Sequence, residues 1–373
     1  MKLFDVYPLY EVCPVKAKDV HVYDAGGTEY LDLYGGHAVI SVGHSHPHYV
    51  NRIQEQLHNI AFYSNAVENP LQQQLADEIG LQSCLHEYQL FLCSSGAEAN
   101  ENALKLASFY NGKKRVVAFK NAFHGRTSAA VATTDNQAIN APLNQQQQVK
   151  FIPFNDAAAL EQELQKGDVC AVIFEPIQGV GGLDMPKDDF VLAMEKLCYQ
   201  YDTALIADEV QSGFSRSGTF FAFQKNNIKP HVISMAKGMG NGFPIGGILV
   251  HPDIKPKYGM LGTTFGGNHL ACTASLAVLE ILKKEKLQLH AQEMEAYFRS
   301  CTEKIEGVKM KGRGLMLGLE FDYDVAPLRK RLVYEKKIFT GGSSNKNVIR
   351  ILPPLTVKKS HFDQFFDDLE ALL

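Results

Sequence analysis

A surplus of basic residues is missing from this 373-residue chain, in which Lys plus Arg total 37 against 41 Asp plus Glu, a formal net charge of -4. Nucleic acid and anionic membranes are therefore not expected partners, because both are bound chiefly through clustered cations. No apolar run approaches the about 18 residues that a membrane span requires. The opening stretch MKLFDVYPLYEVCP lacks the apolar core of a secretory signal, since Asp5 and Pro8 interrupt it, so the protein is expected to stay in the cytoplasm. The seven cysteines, scattered from Cys13 to Cys301, form no C-x-x-C pair. Cys93 and Cys170 lie inside apolar runs and read as small core residues of a reducing compartment, so no disulfide or zinc framework is expected. Two nucleotide signatures are missing as well. No G-x-x-x-x-G-K-[ST] occurs, and GNGFPIGG misses the G-x-G-x-x-G spacing by one residue. There are no repeats, and QQQQ at 145–148 reads as exposed loop.

What is present is a 45% hydrophobic content, enough for a substantial core shared between two unequal domains. QLFLC, RVVAF, VKFIPF, VCAVIF, TALIA and HVISM alternate with longer amphipathic segments. That alternation predicts an α/β fold with a mostly parallel sheet covered by helices on both faces. The large domain is expected over 46–258, with 259–304 as a connecting segment of long helices. In the C-terminal small domain, 305–373, GLMLGLEF and NVIRILPPL read as strands, and PLRKRLVYEKK and SHFDQFFDDLEALL as helices. Residues 1–45 are expected to join that small domain through a hairpin, HVYDAGGTEYLDLY. His44, His46 and His48 in GHSHPH have the residue type of metal ligands. Pro47 and the following YVNRIQEQLHNI instead read as the first turn and body of a helix, and no metal is expected.

In open parallel sheets ligands gather at the carboxyl ends of strands. Three apolar runs end there in polar groups: TALIA in Asp208 and Glu209, VCAVIF in Glu175, and LFLC in Ser94, Ser95 and Gly96. The Ser-Ser-Gly turn runs into a good helix, ANENALKLASF, whose N-terminal amides suit a phosphate or another anion as well as an ordinary serine cap. A single cation, Lys237, sits in the glycine-rich AKGMGNGFPIGG. An isolated lysine, a carboxylate at a strand end and an anion nest together suggest pyridoxal phosphate, which needs an amine for a Schiff base, an acid facing its pyridine nitrogen and a cradle for its phosphate. An apolar pocket would favour the neutral, nucleophilic amine.

CSSGAEANENALKLA, AFHGRT, FEPIQGVGG, IADEVQSGFSRSG, AKGMGNGFPIGG, GTTFGGNHLA and VIRILPPL occur in the order and spacing of one family. The chain resembles the class III pyridoxal-phosphate aminotransferases along nearly its whole length, and most of all those acting on acetylornithine and succinylornithine in arginine metabolism. The resemblance implies a fold type I transferase that forms a homodimer with shared active sites. It implies transfer of the terminal amine of an N-acylated ornithine to 2-oxoglutarate. Ornithine, 4-aminobutyrate or an acylated lysine are alternative donors, and an idle cofactor-binding regulator is the alternative from another class. By the same carry-over, Lys237 would bind the cofactor and shuttle the substrate proton, and Asp208 would pair with the pyridine nitrogen. Gln211 would meet the ring hydroxyl, with Val210 and Phe123 on the two ring faces. Ser95, Gly96 and Ala97 would bind the phosphate, joined by Thr264 of the neighbouring subunit. Arg126, Thr263 and Arg350 would contact substrate, with Tyr7 or Tyr10 near the entrance, while Glu175 and Glu209 match family acids without an assigned proton transfer. Many relatives place after EPIQG a glutamate that covers the second arginine, where this chain has Val180. His37 and Asn241 also depart from the family pattern.

Overall fold

The computed structural model describes residues 1–373. The strands in chain order are β1 (Pro14–Lys18), β2 (His21–Asp24), β3 (Glu29–Asp32), β4 (Gln89–Cys93), β5 (Arg115–Phe119), β6 (Val149–Ile152) and β7 (Val169–Phe174). They continue with β8 (Ala204–Asp208), β9 (Val232–Met235), β10 (Gly246–Val250), β11 (Lys309–Arg313), β12 (Met316–Glu320), β13 (Ile338–Phe339) and β14 (Val348–Ile351). The main sheet has seven strands in the order β4-β10-β9-β8-β7-β5-β6. β10 runs antiparallel to both its neighbours, and the pairs among β9, β8, β7, β5 and β6 are parallel.

The central parallel strands β7, β8 and β9 are buried on both faces along their whole length. In β8, Leu205 and Ala207 enter one core cluster while Ala204 and Ile206 enter a second, the period of two that a covered strand requires. The helix Gly96–Asn111 lies on one face, with Ala99, Ala103, Leu104, Leu106 and Ala107 buried. Its small residues let the backbone approach the sheet closely. Ser95 caps its start and Gly112, at φ 73°, ends it.

Two smaller sheets hold the chain ends: β1-β2-β3-β13, and β11-β12-β14. The expected N-terminal hairpin is β2 against β3, and β13 from the C-terminal part joins β3 in parallel. The long helices expected within 259–304 are His269–Lys284 and Leu287–Thr302, separated where Lys286 adopts φ 52°. A left-handed residue cannot continue a right-handed helix, and nothing in the run of helix formers signals it. Pro47 does open a helix, Pro47–Asn59. The three histidines near it bind three different acids: His44 to Asp32 and His46 to Glu285 at 2.8 and 2.9 Å, and His48 to Glu280.

Candidate active site

β4, β7, β8 and β9 all point their carboxyl ends to one edge of the main sheet, and a cavity of about 410 Å³ opens there. Ser95, Gly96, Ala97, Phe123, Arg126, Asp208, Val210, Gln211 and Lys237 all line it. Residues up to 142 positions apart thus meet because strand direction, not sequence proximity, sets which ends converge (95 to 237).

Lys237 follows β9 and starts a short turn, Lys237–Met239, at φ 47°. Burial lowers its pKa to about 8; the carboxylates of Asp208 and Glu175 oppose that shift and Arg350 adds to it. The loop is fastened by Asn241, whose Oδ1 accepts from the Ser41 and Val42 amides at 2.8 and 3.0 Å and whose Nδ2 donates to the Gly43 carbonyl at 3.0 Å. Asn241 also has φ 47°, a conformation asparagine tolerates better than most side chains. This departure from the family pattern therefore has a structural role.

Asp208 ends β8 and is 4% exposed. Its Oδ2 accepts from Asn100 Nδ2 and His124 Nδ1, both at 2.7 Å, and its Oδ1 accepts from the Val210 amide at 3.0 Å. These three donors fix the carboxylate in one orientation at the strand end. Glu175, just beyond β7, also lines the cavity, and burial raises its pKa to about 7, with Asp208 adding to the rise and His124 opposing it. Its two oxygens accept from the Phe123 and Gly179 amides, each at 2.9 Å, which fixes the loop carrying Phe123.

At the end of β4, Ser95 Oγ accepts from the Glu98 amide at 3.2 Å, and Glu98 in turn accepts from the Ser94 amide at 2.9 Å. The first helical amides, Gly96 and Ala97, have no acceptor within the helix and face the cavity side of its positive end. A Cβ on Gly96 would stand 2.6 Å from Val210 Cγ1, so only glycine lets the two cavity walls meet there.

Residues 5–373 match the family model for class-III aminotransferases. The chain belongs to that family. Among its curated relatives is the acetylornithine aminotransferase of Methanosarcina acetivorans, 37% identical over 365 residues, covering 95% of this chain and 90% of the relative. That of Aquifex aeolicus is 36% identical over 381 residues, covering 100% and 99%. The ornithine aminotransferase structure from Toxoplasma gondii superposes with a TM-score of 0.91 at 28% identity, covering 98% of this chain and 91% of that one. The enzyme is thus a pyridoxal-phosphate-dependent transaminase of fold type I, acting on small-molecule amino donors and acceptors.

The cavity of this aminotransferase suits the cofactor on its own atoms. Gln211 Oε1 is buried there without a hydrogen-bond partner, while its Nε2 donates to the His37 carbonyl at 3.1 Å. The other expected positions lie off the cavity wall. Thr264 is exposed and Thr263 lines a different recess, both on the loop before His269. Arg350 is 3% exposed and donates to the carbonyls of Gly342 and Gly179 at 2.5 and 2.8 Å. Tyr10 packs edge-on against Tyr334, ring centroids 6.0 Å apart, rather than at the cavity. Glu209, 1% exposed, faces inward and accepts from Ser212 Oγ at 2.6 Å and the Phe223 amide at 2.8 Å. Asn100 and His124 were not expected in the site. His124 lies inside AFHGRT between Phe123 and Arg126, which was its only signal.

Proposed function

We propose that this aminotransferase takes the terminal amine of an N-acylated ornithine and passes it to 2-oxoglutarate, a reaction of arginine metabolism. The observation that carries the reading is Lys237, an amine with lowered pKa, in one cavity with Asp208 and the exposed Arg126. The acetylornithine aminotransferases among its relatives support the acylated donor. The ornithine aminotransferase likeness favours unmodified ornithine as a second reading. A panel of donors with 2-oxoglutarate separates them: acetylornithine or succinylornithine is expected to give the highest kcat/KM, and a clear preference for ornithine would overturn the acylated reading.

Bound pyridoxal phosphate supplies a conjugated ring that accepts the electron pair left when the substrate carbon loses its proton. Lys237 would hold the cofactor and its Nζ would then move that proton. Asp208, held in place by Asn100 and His124, would face the pyridine nitrogen. Gln211, whose Oε1 is unpartnered, would meet the ring hydroxyl, and Phe123 and Val210, which also line the cavity, would pack on the ring faces. Ser95, Gly96 and Ala97 bind the phosphate, with Thr264 of a neighbouring copy. Arg126, Thr263 and Arg350 receive the substrate, the two arginines matching carboxylates with paired donors.

Gly96→Ala is expected to weaken pyridoxal phosphate about 10-fold, because the added methyl must push Val210 aside at a cost of ~1–3 kcal/mol; titration of the apo protein by absorbance reads this. Because only the neutral amine attacks an aldehyde, uptake of the cofactor by apo protein is expected to speed up with rising pH and level off above about 8. A rate independent of pH between 6.5 and 9 would contradict that assignment to Lys237.

A homodimer with shared sites is part of the same proposal. Phe62, Tyr63, Tyr258 and Phe265 are exposed around the Thr264 loop, and the rings of Phe62 and Phe265 lie 5.2 Å apart. Exposed aromatic patches of this kind are characteristic of contact surfaces. A sedimentation measurement finding an active monomer would overturn this part.

A further inference from the structure

Arg350 is a buried cation with no acidic side chain bound to it. Two of its donors are taken by backbone carbonyls, and Nη2 has no protein partner. Glu175 acts on it only through space, while burial lowers its pKa. What covers the guanidinium is aromatic: Arg350 Cζ lies 5.9 Å from the ring centroid of Tyr34. A cation over a π-face is stabilised without its donor edge being occupied.

Tyr34 is itself fixed. A Cβ on Gly341 would come within 2.6 Å of its ring, and its hydroxyl is bonded to His37 Nδ1, the two rings lying 4.7 Å apart. His37 belongs to one left-handed turn, Gly35–Ala38, with φ of 53°, 54°, 67° and 63° along the four residues. That conformation is unfavourable for residues with a side chain, so the surroundings must hold His37 and Ala38 in it. The turn also reaches the cavity wall, since the His37 carbonyl is the one that accepts from Gln211. Burial, Arg350 and Lys237 all disfavour the imidazolium and lower the His37 pKa to about 4, so the phenol is hydrogen-bonded to a neutral imidazole. Around Tyr34 the charged groups are Arg350, Arg329 and Asp32, with Tyr10 nearby.

We propose that Tyr34 and His37 are positioning residues that set the specificity of Arg350: the phenol, held by the imidazole, backs the guanidinium and keeps its Nη2 available to one of the two carboxylates of a dicarboxylate substrate. The proposal rests on the transaminase reading given above. It explains how the arginine is kept in place where Val180 offers no carboxylate to pair with it. A neutral support leaves the charge uncompensated, so no ion pair has to be broken before a substrate carboxylate binds.

Binding of the unreactive probes glutarate and butyrate to the holoenzyme, followed by calorimetry, tests this apart from turnover. His37→Leu and Tyr34→Phe each remove the phenol–imidazole bond and are expected to weaken glutarate about 5- to 10-fold, with butyrate changed less than about 2-fold. His37→Asn, which accepts a hydrogen bond and tolerates a positive φ, is expected to restore most of the glutarate affinity. KM for 2-oxoglutarate should follow the glutarate values while kcat changes far less. Equal weakening of both probes, no change in either, or no rescue by His37→Asn overturns the proposal. Wild-type protein that transfers no amine from any donor would defeat the transaminase reading instead, and leave the probe discrimination as a separate result.

Discussion

Lys237→Ala is expected to lower amine transfer by more than ~10⁴-fold, the upper range for removing a positioned proton-transfer group, here compounded by loss of the covalent attachment point. The fold should survive. The Lys237 side chain ties no element to another, and alanine meets the same backbone strain at φ 47° that lysine already bears. Stability should even rise in the apo protein at neutral pH. The folded pKa of about 8 lies below the ordinary lysine value of 10.5, so the unfolded chain binds the proton more tightly. Burying this amine therefore costs most below pH 8, and the cost fades as pH rises through 10.5. Circular dichroism with thermal melts at pH 7 checks the fold, and steady-state assay checks the rate. Borohydride reduction of the wild-type holoenzyme should place the pyridoxyl group on the peptide containing position 237. Appreciable turnover in the variant, or a label elsewhere, would refute the assignment.

Asp208→Asn is the second large loss, expected at ~10²–10³-fold in turnover, the scale of removing one preorganised electrostatic contact to a developing charge. Asparagine has nearly the same shape but cannot satisfy the same neighbours. Its amide nitrogen would meet either Asn100 Nδ2 and His124 Nδ1 together or, with the amide turned over, the Val210 N–H, all of them donors aimed at the carboxylate from 2.7 to 3.0 Å. A mispaired buried donor costs about 1–3 kcal/mol, so a lower melting temperature should accompany the rate loss. Asn100→Ala separates the two effects. It removes one support but leaves the carboxylate, and should cost far less in turnover than Asp208→Asn. Turnover within a few-fold of wild type for Asp208→Asn would remove Asp208 from the chemistry.

Much of the main sheet was legible because its strands are short, uniformly apolar runs ending in polar residues. The segments ending at Asp208, Glu175 and Ser94 are β8, β7 and β4, and their polar ends do meet. β10 escaped notice because GGILV opens with two glycines inside the loop-like run that carries Lys237. β13, only Ile338–Phe339, is too short to show a period. The left-handed turn at Gly35–Ala38 escaped too, since its last two positions carry ordinary side chains held there by tertiary contacts. Asn100 and His124 illustrate the limit for sites. One lies on a helix and the other in a loop, 108 and 84 positions before the Asp208 they bind, and only the packing of that helix on the sheet unites them.

The place of β4 has a consequence for synthesis. It is an edge strand whose single sheet neighbour is β10, which emerges more than 150 residues later (β4 ends at 93, β10 begins at 246). A nascent chain on the ribosome can pair β5 through β9 before then, yet β4, which leads into the turn at Ser95–Ala97, still has no strand to pair with. The strand leading into the Ser95–Ala97 turn therefore joins the sheet only after residue 250 has left the exit tunnel, however early the first half of the protein condenses.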